Sequence, residues 1–182
     1  MQIYIVIQYV TSIFSMNLMG VTAPTSFPTS SSTAPRWKYD VFLSFRGEDT
    51  RNTFTDLIYD ALIKMGINTF KDDEKLEKGK PISDLFKKIE ESRFAVVIFS
   101  KDYASSTWCL DEVAKIVQCE KEMGMTILPV FYDVEPSDVR SANGTYAVAL
   151  IELENRFKDK VETWRAALTH VSYISGWPVM KR

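Results

Sequence analysis

"RFAVVIFS", residues 93–100, carries six apolar residues in succession between Arg93 and Ser100. A half-exposed strand alternates apolar and polar positions, so an unbroken run of this length belongs in the middle of a sheet covered on both faces. The flanking segments agree. "YDVFLSF" (39–45), "INTF" (67–70) and "MTILPVFY" (125–132) read as further strands, and "SGWPVM" (175–180) as a short fifth. Between them the periodicity turns helical. In "TFTDLIYDALIKMG" (53–66), Phe54, Leu57, Ile58, Ala61, Leu62 and Met65 repeat at helical spacing, and Gly66 closes the run as a C-cap glycine would. Ile82, Leu85, Phe86 and Ile89 give a second helix. Another starts near Ser106, and two more lie near 145–156 and 160–172, after a polar loop around Pro136. Strands alternating with helices predict an α/β protein with a parallel sheet flanked by helices.

Composition narrows the function. The chain has 182 residues, 46% apolar and 25% charged, which fits one globular domain with a real core. A formal net charge of -2 gives no electrostatic ground for binding nucleic acid. Cys109 and Cys119 form neither a CxxC pair nor a zinc-like spacing with His170, and two cysteines make no disulfide scaffold; a reducing, cytoplasmic setting fits best.

No Asp, Glu, Lys or Arg precedes Arg36. Residues 1–35 are therefore read as an uncharged, disordered extension and linker, and residues 36–182 as the folded domain. The opening "MQIYIVIQYVTSIFSMNLM" is interrupted by polar residues and has no basic flank, so a membrane association is not expected, although its apolar character leaves an anchor open. "TAPTSFPTSSSTAP" has the Ser/Thr/Pro bias of a linker.

In a parallel sheet of this kind ligands bind beyond the carboxyl ends of the strands. The segments there are "RGEDT" (46–50), "KDDEKLEKGK" (71–80), "KDYASSTW" (101–108) and "DVEPSDVR" (133–140). Arg46 offers a charged fork, Gly47 permits close backbone approach, and Asp49 or Thr50 is a candidate helix cap. "STWCLDEV" (106–113) places Trp108 and Glu112 four residues apart, on one helical face. Cys109, Val113, Ile116 and Val117 form the stripe facing the sheet, which puts Trp108 and Glu112 on its border and Asp111 further towards solvent. Periodicity alone leaves open whether Trp108 anchors the helix or stacks on a base, and whether Glu112 is a solvated first-turn acid or a ligand contact.

The ordered set "YDVFLSFRGEDTR", "INTFKDD", "LEKGKPI", "IEESR", "VVIFS", "YASSTWCLDEV", "LPVFYDVEPSDVR" and "WRAAL" resembles the Toll/interleukin receptor (TIR) domain that begins plant disease-resistance receptors. The resemblance covers about residues 37–180. It implies a flavodoxin-like three-layer sandwich with a five-stranded parallel sheet. It further implies NAD or NADP cleavage on self-association with other TIR domains, with Glu112 catalytic. Arg46, Gly47, Trp108 and Ser106, together with the charged loop 72–81, would line the substrate pocket. Lys78 joins Arg46 there by charge and position, as a partner for the pyrophosphate. NAD is the substrate, and no cofactor, metal or flavin is needed. Nicotinamide leaves from an already cationic nitrogen, so one carboxylate suffices where ordinary glycosidases use two.

Three departures from the family pattern stand out. Leu57 occupies a position where relatives commonly have histidine within an association surface. Ala142 stands where glutamine is frequent, and a further helix usually follows the "SGW" segment. The expected form is thus a TIR-only protein or a shortened receptor, cytoplasmic or also nuclear, with TIR-containing receptors among its candidate partners. Two other readings of the same sheet are a weakly catalytic adaptor acting through TIR–TIR contacts, and a phosphoacceptor. The last needs an aspartate after the third strand, where Ser100 and Lys101 stand.

Overall fold

A computed structural model describes residues 2–18, 37–71, 82–141 and 144–180. The linker, Ala142 and the charged loop 72–81 with Lys78 lie outside the described residues. Five strands form one parallel sheet: β1 (Tyr39–Phe45), β2 (Thr69–Lys71), β3 (Ser92–Phe99), β4 (Thr126–Tyr132) and β5 (Trp177–Val179), in the order β2-β1-β3-β4-β5. This is the flavodoxin-like order expected. The run 93–100 fills the centre, between β1 and β4, and residues 94–99 are all buried.

Alternation along the strands sorts the core into two layers. Phe42, Ala95, Val97, Phe99, Ile127 and Phe131 face α4 (Ile82–Glu90), α5 (Thr107–Met123), α6 (Pro136–Ser141), α7 (Gly144–Glu154) and α8 (Lys158–Tyr173). Val41, Leu43, Phe45, Phe94, Val96, Ile98, Leu128 and Val130 face the other way, toward α3 (Asp56–Lys64) and an N-terminal helix, α1 (Gln2–Leu18). β5 enters by close approach at Gly176, where an added Cβ would sit 2.7 Å from both the Phe131 ring and the Pro129 carbonyl oxygen.

Some expectations shift in detail. The helix expected over 53–66 begins earlier, as a short α2 (Gly47–Thr50). It passes through a wide π-helical turn over Arg51–Thr55, spanned by a 2.8 Å bond between the Thr50 and Thr55 hydroxyls, and continues as α3. It ends as expected, with Gly66 at φ 76° and the Ile67 N–H on the Leu62 carbonyl. Pro136 does not sit in a loop. It opens α6, where its missing N–H costs nothing.

The larger correction concerns the leader. Residues 2–18 are helical, not structureless: Val6 and Val10 are fully or almost fully buried, and Tyr9 and Ile13 pack beside them. Positions 6, 9, 10 and 13 make the i, i+3, i+4, i+7 face of an amphipathic helix. Tyr9 donates to the Ser175 carbonyl at 3.0 Å, and its ring lies 5.7 Å from that of Trp177. The start of the chain is thereby tied to its last strand. Absence of charge suggests an appendage, yet an uncharged face is what a helix buried on a sheet requires. Among the described residues no helix is long and apolar enough to cross a membrane.

This packing is open to test at two places. Burying a valine side chain contributes about 1.5–3 kcal/mol, so Val10→Asp should lower the unfolding temperature by several degrees. Tyr4→Asp, at a position 70% exposed, should not. Equal effects in calorimetry would show that α1 does not pack on the sheet. The second place is Tyr146, fully buried on α7, which donates to the Ser100 carbonyl at 2.9 Å. Burial, aided by Cys109 and nearby carboxylates, pushes its phenol well above the ordinary value, as burial also does for Tyr103. An unfolded phenol ionises near pH 10 while the folded one stays neutral, so the stabilisation is complete below that pH and is lost as pH rises through the folded value. Each such phenol should contribute a slope of about 1.4 kcal/mol per pH unit above pH ~10. Urea titrations of wild type and Tyr146→Phe between about pH 9 and 11 should show a shallower decline for the variant.

Candidate functional site

The sheet order reverses between β1 and β3, since the chain leaves β1 toward β2 on one side and returns through β3 to β4 on the other. The crevice beyond the carboxyl ends of these two strands is where such a fold builds a site. The end of β1 supplies Ser44 and Phe45, and Arg46 and Gly47 follow it. After β3 come Ser100, Asp102, a 3-10 turn over Tyr103–Ser105, and the first turns of α5.

Ser106 caps α5. Its backbone is extended and its hydroxyl accepts the Cys109 N–H at 3.3 Å, satisfying one of the orphan donors of the first turn. The cap sets the helix in register so that Cys109, Val113 and Ile116 face the core. Glu112 goes in with them. It is only 2% exposed, and Ser44 Oγ donates to its Oε2 at 2.6 Å. The expectation of a border carboxylate is corrected: Glu112 is a buried acid at the switch point. Trp108, one turn earlier on the same face, is 39% exposed.

Asp111 is also corrected. It does not point into solvent but accepts the buried Trp164 Nε1–H at 2.9 Å and the Lys160 ammonium at 2.8 Å, fastening α5 to α8. The two neighbouring acids therefore do different work, Asp111 between helices and Glu112 between helix and sheet.

Behind Ser44 stands Tyr103, fully buried, its hydroxyl 2.8 Å from Ser44 Oγ and 3.1 Å from the Cys109 carbonyl. Desolvation pushes this phenol well above its ordinary value, and the charges of Cys109 and Glu112 add to the effect. Neither Ser44 nor Tyr103 stands out in the sequence as a site residue. A signal exists for Ser44, a lone hydroxyl on the same strand face as Phe42 within "YDVFLSF".

Arg46 is held at its root. Its two terminal nitrogens bond Asp49, at 2.6 Å, and Glu48. Burial disfavours its charge, but the hydrogen bond and charge of Asp49, joined by Glu48, outweigh this and raise the guanidinium above its ordinary value. Asp49 is no helix cap. Its other oxygen accepts the Ser100 hydroxyl at 2.6 Å and the Asp102 N–H at 3.2 Å, which ties the loop after β1 to the loop after β3. Thr50 turns to Thr55 instead. Gly47 is buried as the first residue of α2. Arg46, Gly47, Ser106, Trp108 and Glu112 thus all lie on the two segments that meet at the switch point. Cys109 and Cys119 are both buried thiols outside any disulfide, and burial lifts the Cys119 thiol to about 11. Among the described residues no cluster of three or more His, Cys, Asp or Glu is arranged to hold a metal ion.

Comparison with known proteins gives the lineage. Residues 38–181 match the TIR domain family. The chain is 48% identical over 166 residues to the disease resistance protein RPV1 of Vitis rotundifolia, covering 88% of this chain and 12% of that protein. It is 51% identical over 151 residues to the TMV resistance protein N of Nicotiana glutinosa, covering 81% of this chain and 13% of that one. The chain thus corresponds to about an eighth of the length of these relatives. Among solved structures, the TIR domains of the activated Roq1 resistosome, which directly recognises the pathogen effector XopQ, superpose with a TM-score of 0.72 at 56% identity, over 78% of this chain and 87% of that one. With its sheet order, its switch-point segments and the match over residues 38–181, the chain belongs to the TIR domain family of plant disease-resistance proteins.

Proposed function

We propose that this TIR domain cleaves the nicotinamide N-glycosidic bond of NAD or NADP when it self-associates, and that the ADP-ribose-type product serves plant immune signalling. The observation that carries the reading is Glu112, a buried carboxylate held by a serine hydroxyl at the switch point of the sheet. Burying a carboxylate is costly, and groups retained at such cost cluster at functional sites.

The chemistry suits one acid. The bond from the anomeric carbon to the pyridinium nitrogen breaks with both electrons passing to nicotinamide, which leaves neutral and takes no proton. Positive charge develops on the ribose, and the Glu112 carboxylate stabilises it and orients the sugar hydroxyls. Water then adds to the anomeric carbon and releases a proton. A fixed anion in a site shielded from water acts most strongly where charge develops in the transition state. Trp108, half-exposed on the same face, offers an aromatic surface. Arg46 is the cation nearest in sequence to Ser44, and engaging a pyrophosphate requires it to exchange its exposed partner Glu48 while Asp49 keeps hold.

Nicotinamide release by purified protein at low and high concentration tests the reading, since activity confined to high concentration is expected of an enzyme that works on self-association. Removing an electrostatic stabiliser typically costs about 100-fold or more, so Glu112→Gln should lose at least that much while keeping an acceptor for Ser44. Asp111→Ala should do the reverse: it leaves the Trp164 N–H buried without a partner, at about 1–3 kcal/mol, but retains turnover. Turnover in Glu112→Gln at the wild-type rate would sink the assignment. A wild type that binds TIR domains yet releases no nicotinamide would be an adaptor. Leu57, 56% exposed on α3, should leave self-association weak; Leu57→His is expected to strengthen it in sedimentation and to lower the concentration at which activity appears.

A further inference from the structure

Glu112 is joined to the fold through two hydroxyls in series. Ser44 Oγ lies 2.6 Å from the Glu112 carboxylate and 2.8 Å from the Tyr103 hydroxyl, and Tyr103 lies 3.1 Å from the Cys109 carbonyl. Both hydroxyl residues are wholly buried. Two protons therefore serve three contacts, because a serine and a tyrosine each have one to give. The Cys109 carbonyl belongs to α5 and has the helical ladder to satisfy it, so it loses least when left out. The charged carboxylate gains most. The arrangement that serves it best has Tyr103 donating to Ser44 and Ser44 donating to Glu112, each bond polarising the next.

We infer that Tyr103 and Ser44 are positioning residues for Glu112, a donor relay that fixes the carboxylate's orientation and holds it as an anion. The inference rests on the reading of Glu112 as the charge-stabilising group in NAD cleavage, and it adds two residues that act through it. The pieces come from three elements: β1 supplies the middle hydroxyl, the 3-10 turn the outer one, and α5 the acid. Besides Glu112, the titratable groups felt by the Tyr103 phenol are Cys109 on α5 and Tyr146 on α7, and Tyr146 in turn feels Asp49 on α2, Asp102 beside the turn and Asp138 on α6. Desolvation keeps the Tyr103 phenol protonated through the range in which a carboxyl titrates, so it remains a donor throughout.

The relay is tested in the full chain with Ser44→Ala, Tyr103→Phe and Ser44→Thr. In protein labelled with carboxyl-13C glutamate, the Glu112 resonance is assigned by its loss in Glu112→Gln and followed over about pH 4 to 8. Removing a donor to an anion favours its protonated form, so Ser44→Ala should raise the Glu112 midpoint by roughly one pH unit. Tyr103→Phe should raise it by less, and Ser44→Thr, which keeps the hydroxyl, should leave it near wild type. In nicotinamide release the first two should lower kcat while KM stays within about twofold, the mark of an interaction used in the transition state. Midpoints unmoved in both Ser44→Ala and Tyr103→Phe overturn the relay. A shift in Ser44→Ala alone overturns the part given to Tyr103. If Ser44→Ala does not fold, Tyr103→Phe, which keeps the ring in place, decides by itself. A wild type that releases no nicotinamide defeats the proposed function instead, and the carboxyl titration then decides the relay independently of turnover.

Discussion

A carboxylate that is 2% exposed must be given hydrogen bonds or it will not remain charged. At Glu112 that requirement organises the neighbourhood. Ser44 must lie on the α5 side of β1, α5 must start where its second turn meets that strand, and the 3-10 turn must bring Tyr103 in behind. The Ser106 cap and the packing of Cys109 and Val113 set the axial position of α5. Asp111 sets its rotation from the other side, through Trp164 and Lys160. The neighbouring acids thus fasten α5 to a strand on one side and to a helix on the other, and it is the strand-side bond that holds the Glu112 carboxylate.

Asp49 plays the matching part across the crevice. By accepting from Arg46, Ser100 and the Asp102 N–H, it holds the loops after β1 and β3 together. The guanidinium is thereby oriented from its root by a part-buried partner, while Glu48, 75% exposed by its side chain, is the partner that solvent or an anion can replace.

The sheet is legible in the sequence because burial on both faces leaves a mark that single residues carry: six apolar residues in a row at 94–99, and apolar runs at 41–43 and 127–131. The site segments are legible because polar residues crowd the strand ends. What periodicity does not give is the depth of Glu112. Helical spacing separates it from Asp111 by face, but that Glu112 goes in against the sheet while Asp111 is taken up by α8 follows only from the partners opposite, Ser44 on β1 and Trp164 on α8. Tyr103 reads as one more core aromatic because its ring is one; its role lies in the hydroxyl. The leader misleads for a different reason. Lack of charge resembles lack of structure, while the 6, 9, 10, 13 spacing holds the contrary signal.

That leader matters to how stability and chemistry are divided. Strand alternation places Ser44 with Phe42 on the side of α5, and Val41, Leu43 and Phe45 on the side of α1 and α3. Changes on α1 therefore reach the site only through the thickness of the sheet. They can lower the stability of the layer that contains Val6, Val10, Ile58, Leu62 and Val179 without touching the bonds to Glu112. Changes at α5 act oppositely, because its buried face contains both core side chains and the acid. A close-packed interior resists independent movement of neighbours on one helix face, so α5 cannot be repacked without moving Glu112. The layer built on α1 thus bears on stability alone, and the layer built on α5 is the one whose packing the carboxylate fixes.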